Sequence, residues 1–465
     1  MLIINHALTS ADLLQAVSRL FELSAQKIVS IEDSWDRSRG TPVYTVKGRY
    51  TVRGWTEWTR GFQYGSALLQ FDATDDRTCL DIGRQGTLHT MTGHISHTGV
   101  HDHGFNIVST YGNLLRLVHE GRLEDEGNAL VQTCRLALKV SGAVQAARWT
   151  TLPDNLGFIH SFNGQHSLFV DAMRSLRSLA LAHSLGHVLM GEQDERISLL
   201  ARLLQHAETN ARFIVYWGEN RDSYDVRGRT SHEAIFNVRN GTYRCPSTQQ
   251  GYSPFSTWTR GLAWALLGYA EQLEWLDTLA EEAFDCDPGI CDGDRTKWID
   301  RFESAARATS DHFMACCATD GIPFWDNGAP GIAALPDWAD RPSDPYNPYE
   351  PVDSTAAAIA AQGMLRLGRY LKNKGNVEDG EHYYQAGLTV AQTLFKEPYL
   401  STAEDHQGLL LHSIYHRPNG WDYIPPGQTV PCGESSMWGD YHARELALMI
   451  LRDAQEKGYY CFYDI

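Results

Sequence analysis

Gln249-Gln250-Gly251-Tyr252-Ser253-Pro254-Phe255-Ser256-Thr257-Trp258-Thr259-Arg260-Gly261-Leu262-Ala263-Trp264 decides how this chain is read. A loop carrying Gln, Tyr, Trp and Arg ends in Ser and Thr, then enters an apolar helix from Leu262 to Leu273 through the small residues Gly261 and Ala263. Those loop side chains are the types that stack on sugar rings and hydrogen-bond sugar oxygens. The same opening is written a second time, two hundred residues earlier. There Trp58-Thr59-Arg60-Gly61-Phe62 enters an apolar run with Tyr64, Ala67, Leu68 and Leu69.

Further helix starts of this kind make a series. His101-Asp102-His103-Gly104-Phe105 enters Ile107 to Leu117, and Asp171 follows Ser167-Leu168-Phe169-Val170 and precedes Leu176, Leu179 and Leu181. Asp353-Ser354-Thr355 enters Ala356 to Leu367, and Ser435-Ser436-Met437-Trp438-Gly439-Asp440 enters Ala443 to Leu451. The anchors 58, 102, 171, 258, 353 and 436 are 44, 69, 87, 95 and 83 residues apart. Each gap holds an inner helix, a return helix and loops, as a closed helical toroid requires. In such a ring all six polar helix starts point into one mouth. Ser, Thr, Asp and Gly at those starts also serve as ordinary caps. Capping has no need of Trp, Arg or a His-Asp-His triplet.

The composition fits one large soluble unit. Hydrophobic residues make up 43% and charged residues 21%, and many of the 13 Trp and 21 Tyr fall in loops, while in a large helical fold many are expected in the core. The net charge of −17 argues against a general nucleic-acid or anionic-membrane surface, though a small anionic ligand in a locally basic pocket stays compatible. Nine cysteines with no disulfide-framework spacing, no basic region before the first apolar residues and no long apolar run predict a reduced, cytoplasmic protein outside the membrane.

In chain order, residues 9–36 read as a helix with Ser10-Ala11-Asp12 at its start. The 1–40 region is taken as an N-terminal extension packed on a single 1–465 domain. A short strand is expected at Val43–Val46, and return helices over Cys79–Met91, Leu123–Ser141, Asp194–Trp217 and Trp298–Ala318. A hairpin is expected over Ser231–Asn237 with Asn240-Gly241 as the turn. Residues 320–352 form a Pro/Asp/Trp-rich loop long enough to be functional. His94, His97, His101 and His103 crowd one loop but lack HExxH spacing or a carboxylate set, so neither metal nor cofactor is expected. The acidic insert Asp285–Asp294 has a misplaced Gly and no closing Glu for a calcium loop, and reads as a solvated turn.

Trp58-Thr-Arg-Gly-Phe, His101-Asp102-x-Gly104-Phe105, His232, Gln250-Gly-Tyr with Ser256-x-Trp258-x-Arg260-Gly-x-Ala-Trp264, Asp353-Ser-x-Ala-Ala-Ala and Ser436-x-Trp438-Gly439-Asp440-Tyr441 occur in one order. As a set spanning residues 55 to 450 they resemble the unsaturated glucuronyl hydrolases, glycoside hydrolase family 88. The resemblance implies an all-α (α/α)6 barrel with the active site at the mouth inferred above. It also implies removal of a 4,5-unsaturated uronic acid from the non-reducing end of lyase-generated oligosaccharides, by hydration of the C4=C5 vinyl ether. By the same resemblance Asp171 is the general acid/base and Asp102 its supporting carboxylate. His101, His232, Gln250, Trp258, Arg260 and Trp264 line the uronate subsite, Trp58 stacks, and Ser436 at a helix N-terminus binds the carboxylate. Asp171 stands between Phe169, Val170, Ala172 and Met173, an apolar setting expected to raise its pKa.

The chain departs from the family pattern at His103 and after the acid, where it reads Ala172-Met173-Arg174-Ser175-Leu176-Arg177. Arg174 and Arg177 are expected either to contact a carboxylate or sulfate or to pair with acidic residues outside the site. Three rival readings share the barrel. One is a conventional acid/base glycosidase using Asp102 and Asp171, and another is a catalytically silent carbohydrate-binding toroid. The last, a sugar epimerase, has no histidine pair to match beyond His101 and His103.

Overall fold

The computed structural model describes residues 1–53, 57–285 and 294–463. The expected turn at Asp285–Asp294 lies almost wholly outside them. Six helices form the inner wall of an (α/α)6 barrel. The first is Arg60–Thr74. The second is built from His103–Ile107 and Asn113–His119 on either side of a π-turn, and the third from Ala172–Ser175 and Arg177–Ser184. Thr259–Thr278, Ser354–Asn373 and Met437–Ala454 complete the wall.

Inner and outer helices differ in what they bury. Seventeen of the 20 residues of Thr259–Thr278 are buried, against nine of 21 in its return helix Arg295–Ala315. A helix enclosed on all sides must be apolar or internally paired all round, whereas an outer helix needs one apolar stripe. The other return helices are Arg77–Gln85, Ala129–Ala147, Leu199–Phe213 and Val377–Leu394. Leu14–Ser34 packs on Met437–Ala454 and on Arg60–Thr74, which puts it in the outer position beside the last inner helix. The helix expected as an extension thus joins the ring where its two ends meet. One core cluster runs from Leu2 to Tyr463.

Glycines set the spacing of the ring. Gly61 lies against Asn106, Gly104 against Ser175, Gly268 against Met173, Gly363 against Leu267 and Gly439 against Thr355, and Gly65 meets Tyr441 to close the circle. At each of these positions a Cβ would come to 3.0 Å or less from the neighbouring inner helix. Only glycine lets the backbones approach so closely. Gly104→Ala is expected to part the Asp102 and Asp171 segments; full activity in a folded Gly104→Ala protein would show the contact to be slack.

Return-helix boundaries shift where local chemistry intervenes. Leu123–Ser141 was the expected span, but Gly127 and Asn128 both take positive φ, and the helix begins at Ala129. The Asp125 carboxylate accepts from Leu130 N and Val131 N and so caps it. The helix expected at Cys79 begins at Arg77 because Asp76 caps it. The hairpin prediction corresponds to Glu233–Phe236 and Tyr243–Ser247, which extend Ser167–Phe169 into a three-stranded antiparallel sheet.

Arg174 and Arg177 follow the second expectation and pair with acidic residues outside the site. Both are fully buried in the barrel interior, where Arg174 pairs with Glu271 and, at 3.1 Å, with Glu445 of two other inner helices. Burial would raise the Glu445 carboxyl, but the charge of Arg174 and the bond from His442 hold it well below the usual range. No helix among the described residues is long and apolar enough to cross a membrane.

Candidate active site

A cavity of about 320 Å³ opens at one end of the barrel. Trp58, Asp102, Asp171 and Trp258 line it, so four of the six anchors share one wall. The remaining two adjoin: Asp353 holds Arg260 at 3.0 Å, and Ser436 meets Thr355 Oγ1 at 3.3 Å. A larger groove, about 830 Å³, runs along the outer flank between Leu199–Phe213 and Arg295–Ala315, with its Arg301 and Glu208 already paired.

The centre of the cavity is an imidazole between two carboxylates. His101 Nε2 lies 3.1 Å from Asp171 Oδ1 and 3.8 Å from Asp102 Oδ1. Burial alone would lower the His101 pKa, but Asp102 and the bond to Asp171 outweigh it and the imidazole is raised. Burial pushes the Asp102 carboxyl up to about 6, with His101 pulling against it. Asp171 goes the other way. Burial would raise it, but the hydrogen bond and charge of His101, with His232 and Arg260 beyond, hold it below its ordinary value.

That reverses the expectation of a raised Asp171. Its sequence neighbours are apolar, but the carboxylate itself turns toward three cationic or imidazole side chains. The two environments are opposed as acid and base roles require, with Asp102 the carboxyl held higher and Asp171 the one held lower.

His232 stands behind Phe169 and Trp258, whose rings it meets at 4.5 and 4.8 Å. Gln249 N donates to His232 Nδ1 at 2.8 Å, so the remaining proton belongs on Nε2. Burial lowers its pKa to about 4, against the pull of Asp171, and keeps it neutral. His103 is also a buried neutral histidine, lowered to about 4 by burial. Its Nδ1 faces Ser141 Oγ and its Nε2 the His97 carbonyl. Burial likewise takes His94 to about 4 and His206 to about 3.

Each of these rings is depressed relative to its unfolded value, so its stabilising contribution is complete above about pH 6.5 and is lost as pH falls through the folded value. Denaturant midpoints are therefore expected to drop steeply between pH 6.5 and 4. Midpoints flat across that window would contradict the buried neutral histidines.

Trp258 is 2% exposed, and the Arg260 guanidinium sits 4.7 Å over its ring. Arg260 is itself buried and donates to Asp353, the Ile414 and Tyr415 carbonyls and Gln250 Oε1. It orders the wall, including Gln250, more than it offers free donors to a ligand. Trp264 packs at 4.8 Å on Phe105, and Trp58 at 4.9 Å on Trp438. Ser436 does not reach the cavity. It is wholly buried, and its hydroxyl caps the last inner helix by accepting from Gly439 N at 3.1 Å.

Sequence reasoning passed over the outer rim: Arg53, Phe162, His416, Asn419 and Trp421. Asp422 holds this last loop in shape by accepting from the Tyr415 and His416 backbone N–H groups. Trp421 stands 4.9 Å from the His416 ring. Tyr415-His416-Arg417-Pro418-Asn419-Gly420-Trp421 has the residue types of the opening stretch, and that signal was available. The 320–352 loop supports the site from outside, since Trp325 O receives Thr259 N and Asp326 Oδ2 receives Tyr252 N. Among the described residues no group of His, Cys, Asp and Glu is arranged to hold a metal ion.

No protein-family model matches the chain. The unsaturated glucuronyl hydrolase of Bacillus sp. (strain GL1) is 24% identical over 450 residues, covering 94% of this chain and 96% of that protein. The unsaturated chondroitin disaccharide hydrolase of Streptococcus agalactiae serotype III is 22% identical, with 97% and 94% covered. The crystal structure of the Bacillus sp. GL1 enzyme, described as responsible for glycosaminoglycan degradation, superposes with a TM-score of 0.69 at 20% identity over 97% of this chain and 99% of its own. Along almost its whole length the chain is a relative of the unsaturated glucuronyl hydrolases, glycoside hydrolase family 88, and it carries their fold.

Proposed function

We propose that this protein is a glycoside hydrolase that removes a 4,5-unsaturated uronic acid from the non-reducing end of lyase-generated oligosaccharides by hydrating the C4=C5 bond. The observation that carries this reading is the imidazole nitrogen of His101 set between Asp102 and Asp171, inside a cavity walled by Trp58, Trp258 and Trp264. Protonating carbon needs a carboxylic acid poised near neutrality beside a base that can receive a proton from water. Relatives along the full length carry names for this activity.

In this reading Asp171 exchanges the proton with substrate, and the Asp102–His101 pair supplies it. A proton passes from His101 to Asp171 and on to C4, leaving positive charge at C5 shared with the ring oxygen. Water adds to C5 and returns a proton to Asp171, so one water is consumed and no net proton. The C5 hemiketal opens to a ketone, and the hemiacetal left at C1 expels the remaining sugar. His101 and Gln250 form the polar side of the uronate subsite, with His232 behind the wall; Arg260 holds that side in place, and the three tryptophans give the stacking faces.

The test is a panel of lyase-derived unsaturated disaccharides, followed by loss of the vinyl-ether ultraviolet absorbance, beside a saturated aryl glucuronide. Absorbance is expected to fall with the former and the latter to stay intact. Cleavage of the aryl glucuronide would instead establish a conventional glycosidase, and binding without turnover a carbohydrate-binding toroid.

A further inference from the structure

Asp102 and Asp171 belong to different chain segments. Asp102 sits in the turn His101–Gly104 that opens the second inner helix, and Asp171 opens the short helix Ala172–Ser175 of the third. The span from one carboxylate through His101 to the other is therefore a distance between two backbones. One hydroxyl makes three of the hydrogen bonds at their junction. Ser175 Oγ donates to the His101 carbonyl at 2.9 Å, and it accepts from Gly104 N and from Gln145 Nε2, each at 2.9 Å. A serine hydroxyl has one proton and two lone pairs, and here all three are engaged.

Gln145, on the return helix Ala129–Ala147, braces the same point. Its Nε2 also donates to the His101 carbonyl at 2.9 Å, and its Oε1 accepts from Ser178 Oγ. Arg177 Nε holds the Gly104 carbonyl at 2.8 Å. Ser175, Gln145 and Arg177 are fully buried and none lines the cavity. The backbones are also in contact here, since a Cβ at Gly104 would strike the Ser175 backbone.

We infer that Ser175, braced by Gln145, is a positioning residue that sets the Asp102–His101–Asp171 geometry. The proposal deepens the hydration reading and rests on it. Without the hydroxyl the junction loses three hydrogen bonds that fix the spacing of turn and helix, and a misplacement near 1 Å can cost roughly 10²-fold in rate. Gln250 and the three tryptophans lie elsewhere in the cavity and stay in place, so the larger part of the loss belongs in kcat.

The experiment compares Ser175→Ala and Gln145→Ala with the parent chain, reading kcat and KM on an unsaturated disaccharide and the His101 imidazole titration by NMR. His101 is faced by Asp102 and Asp171 and, further off, by Arg148, His160, His206 and His232. Only its closeness to the two carboxylates depends on the hydroxyl. Expected for Ser175→Ala are a kcat lower by about 10- to 100-fold, KM within about threefold, and a His101 midpoint moved downward. Gln145→Ala should show the same pattern, more weakly. A lowered melting temperature with kcat and the His101 midpoint unchanged would overturn the proposal and leave Ser175 a packing residue. Should Ser175→Ala not fold, the same two readouts in Gln145→Ala decide the matter. If the parent protein hydrates no disaccharide of the panel, the hydration reading fails by itself, and the His101 titration still decides whether the hydroxyl sets the geometry.

Discussion

Asp171→Asn is expected to fold normally and to lose roughly 10²-fold or more of its hydration rate, the contribution typical of a general acid–base group. The amide keeps the size of the carboxylate and can still meet His101, but it cannot cycle a proton. The depressed Asp171 carboxyl makes a further demand. In the free protein it is ionised, so the proton that reaches C4 must come through His101, which Asp102 keeps charged. The rate should therefore fall as pH rises through the titration of the Asp102–His101 pair, and Asp102→Asn should shift that limb as well as slow the reaction. Heavy-oxygen water gives an independent check. Hydration places the label first at C5 of the released keto sugar, read at early times before carbonyl exchange. Attack at the anomeric carbon places it at C1. Early label confined to C1, or full activity in Asp171→Asn, would remove the mechanism and leave the barrel standing.

The six anchors were legible because helix starts that face a common mouth need residues that capping alone does not require. Trp58, Asp102, Asp171 and Trp258 line the cavity for that reason. What stayed hidden depends on direction in space. Asp171 is flanked by apolar residues in the chain, but its carboxylate meets His101 from a segment 70 residues away. Ser436 had the residue type of an anion site at a helix start, and the helix uses that hydroxyl for its own cap. Arg174 and Arg177 are within two turns of the acid in sequence, and helical rotation carries them into the barrel interior toward Glu271 and Glu445. Sequence spacing fixes which residues share a helix. It does not say which of two buried faces holds the ligand when an inner helix has no solvent side to orient it.

Arg260→Ala is the second large effect, and it falls on stability. A reading from sequence makes Arg260 a ligand contact whose loss spares the fold. In the structure its guanidinium is 1% exposed and joins four partners drawn from three segments: Asp353 at the start of the fifth inner helix, the Ile414 and Tyr415 carbonyls, and Gln250 of the opening loop. Asp353 is completely buried, and burial raises its carboxyl even with Arg260 beside it. Alanine would leave that carboxylate with backbone N–H partners but no counter-charge, and take a donor from two buried carbonyls. Breaking a buried ion pair from one side costs about 3–5 kcal/mol, a large part of the stability of an ordinary domain. Trp258→Ala removes the ring beneath the same guanidinium and a side chain that is 2% exposed, and should destabilise by a similar order, about 3–5 kcal/mol. Replacing Asp353 by Asn together with Arg260→Leu removes both charges at once, and should recover part of the loss because no buried charge is then left alone. Melting and denaturant curves on the single and double variants check this. An Arg260→Ala protein as stable as its parent, with only its affinity for an unsaturated disaccharide reduced, would return Arg260 to the role of a ligand contact.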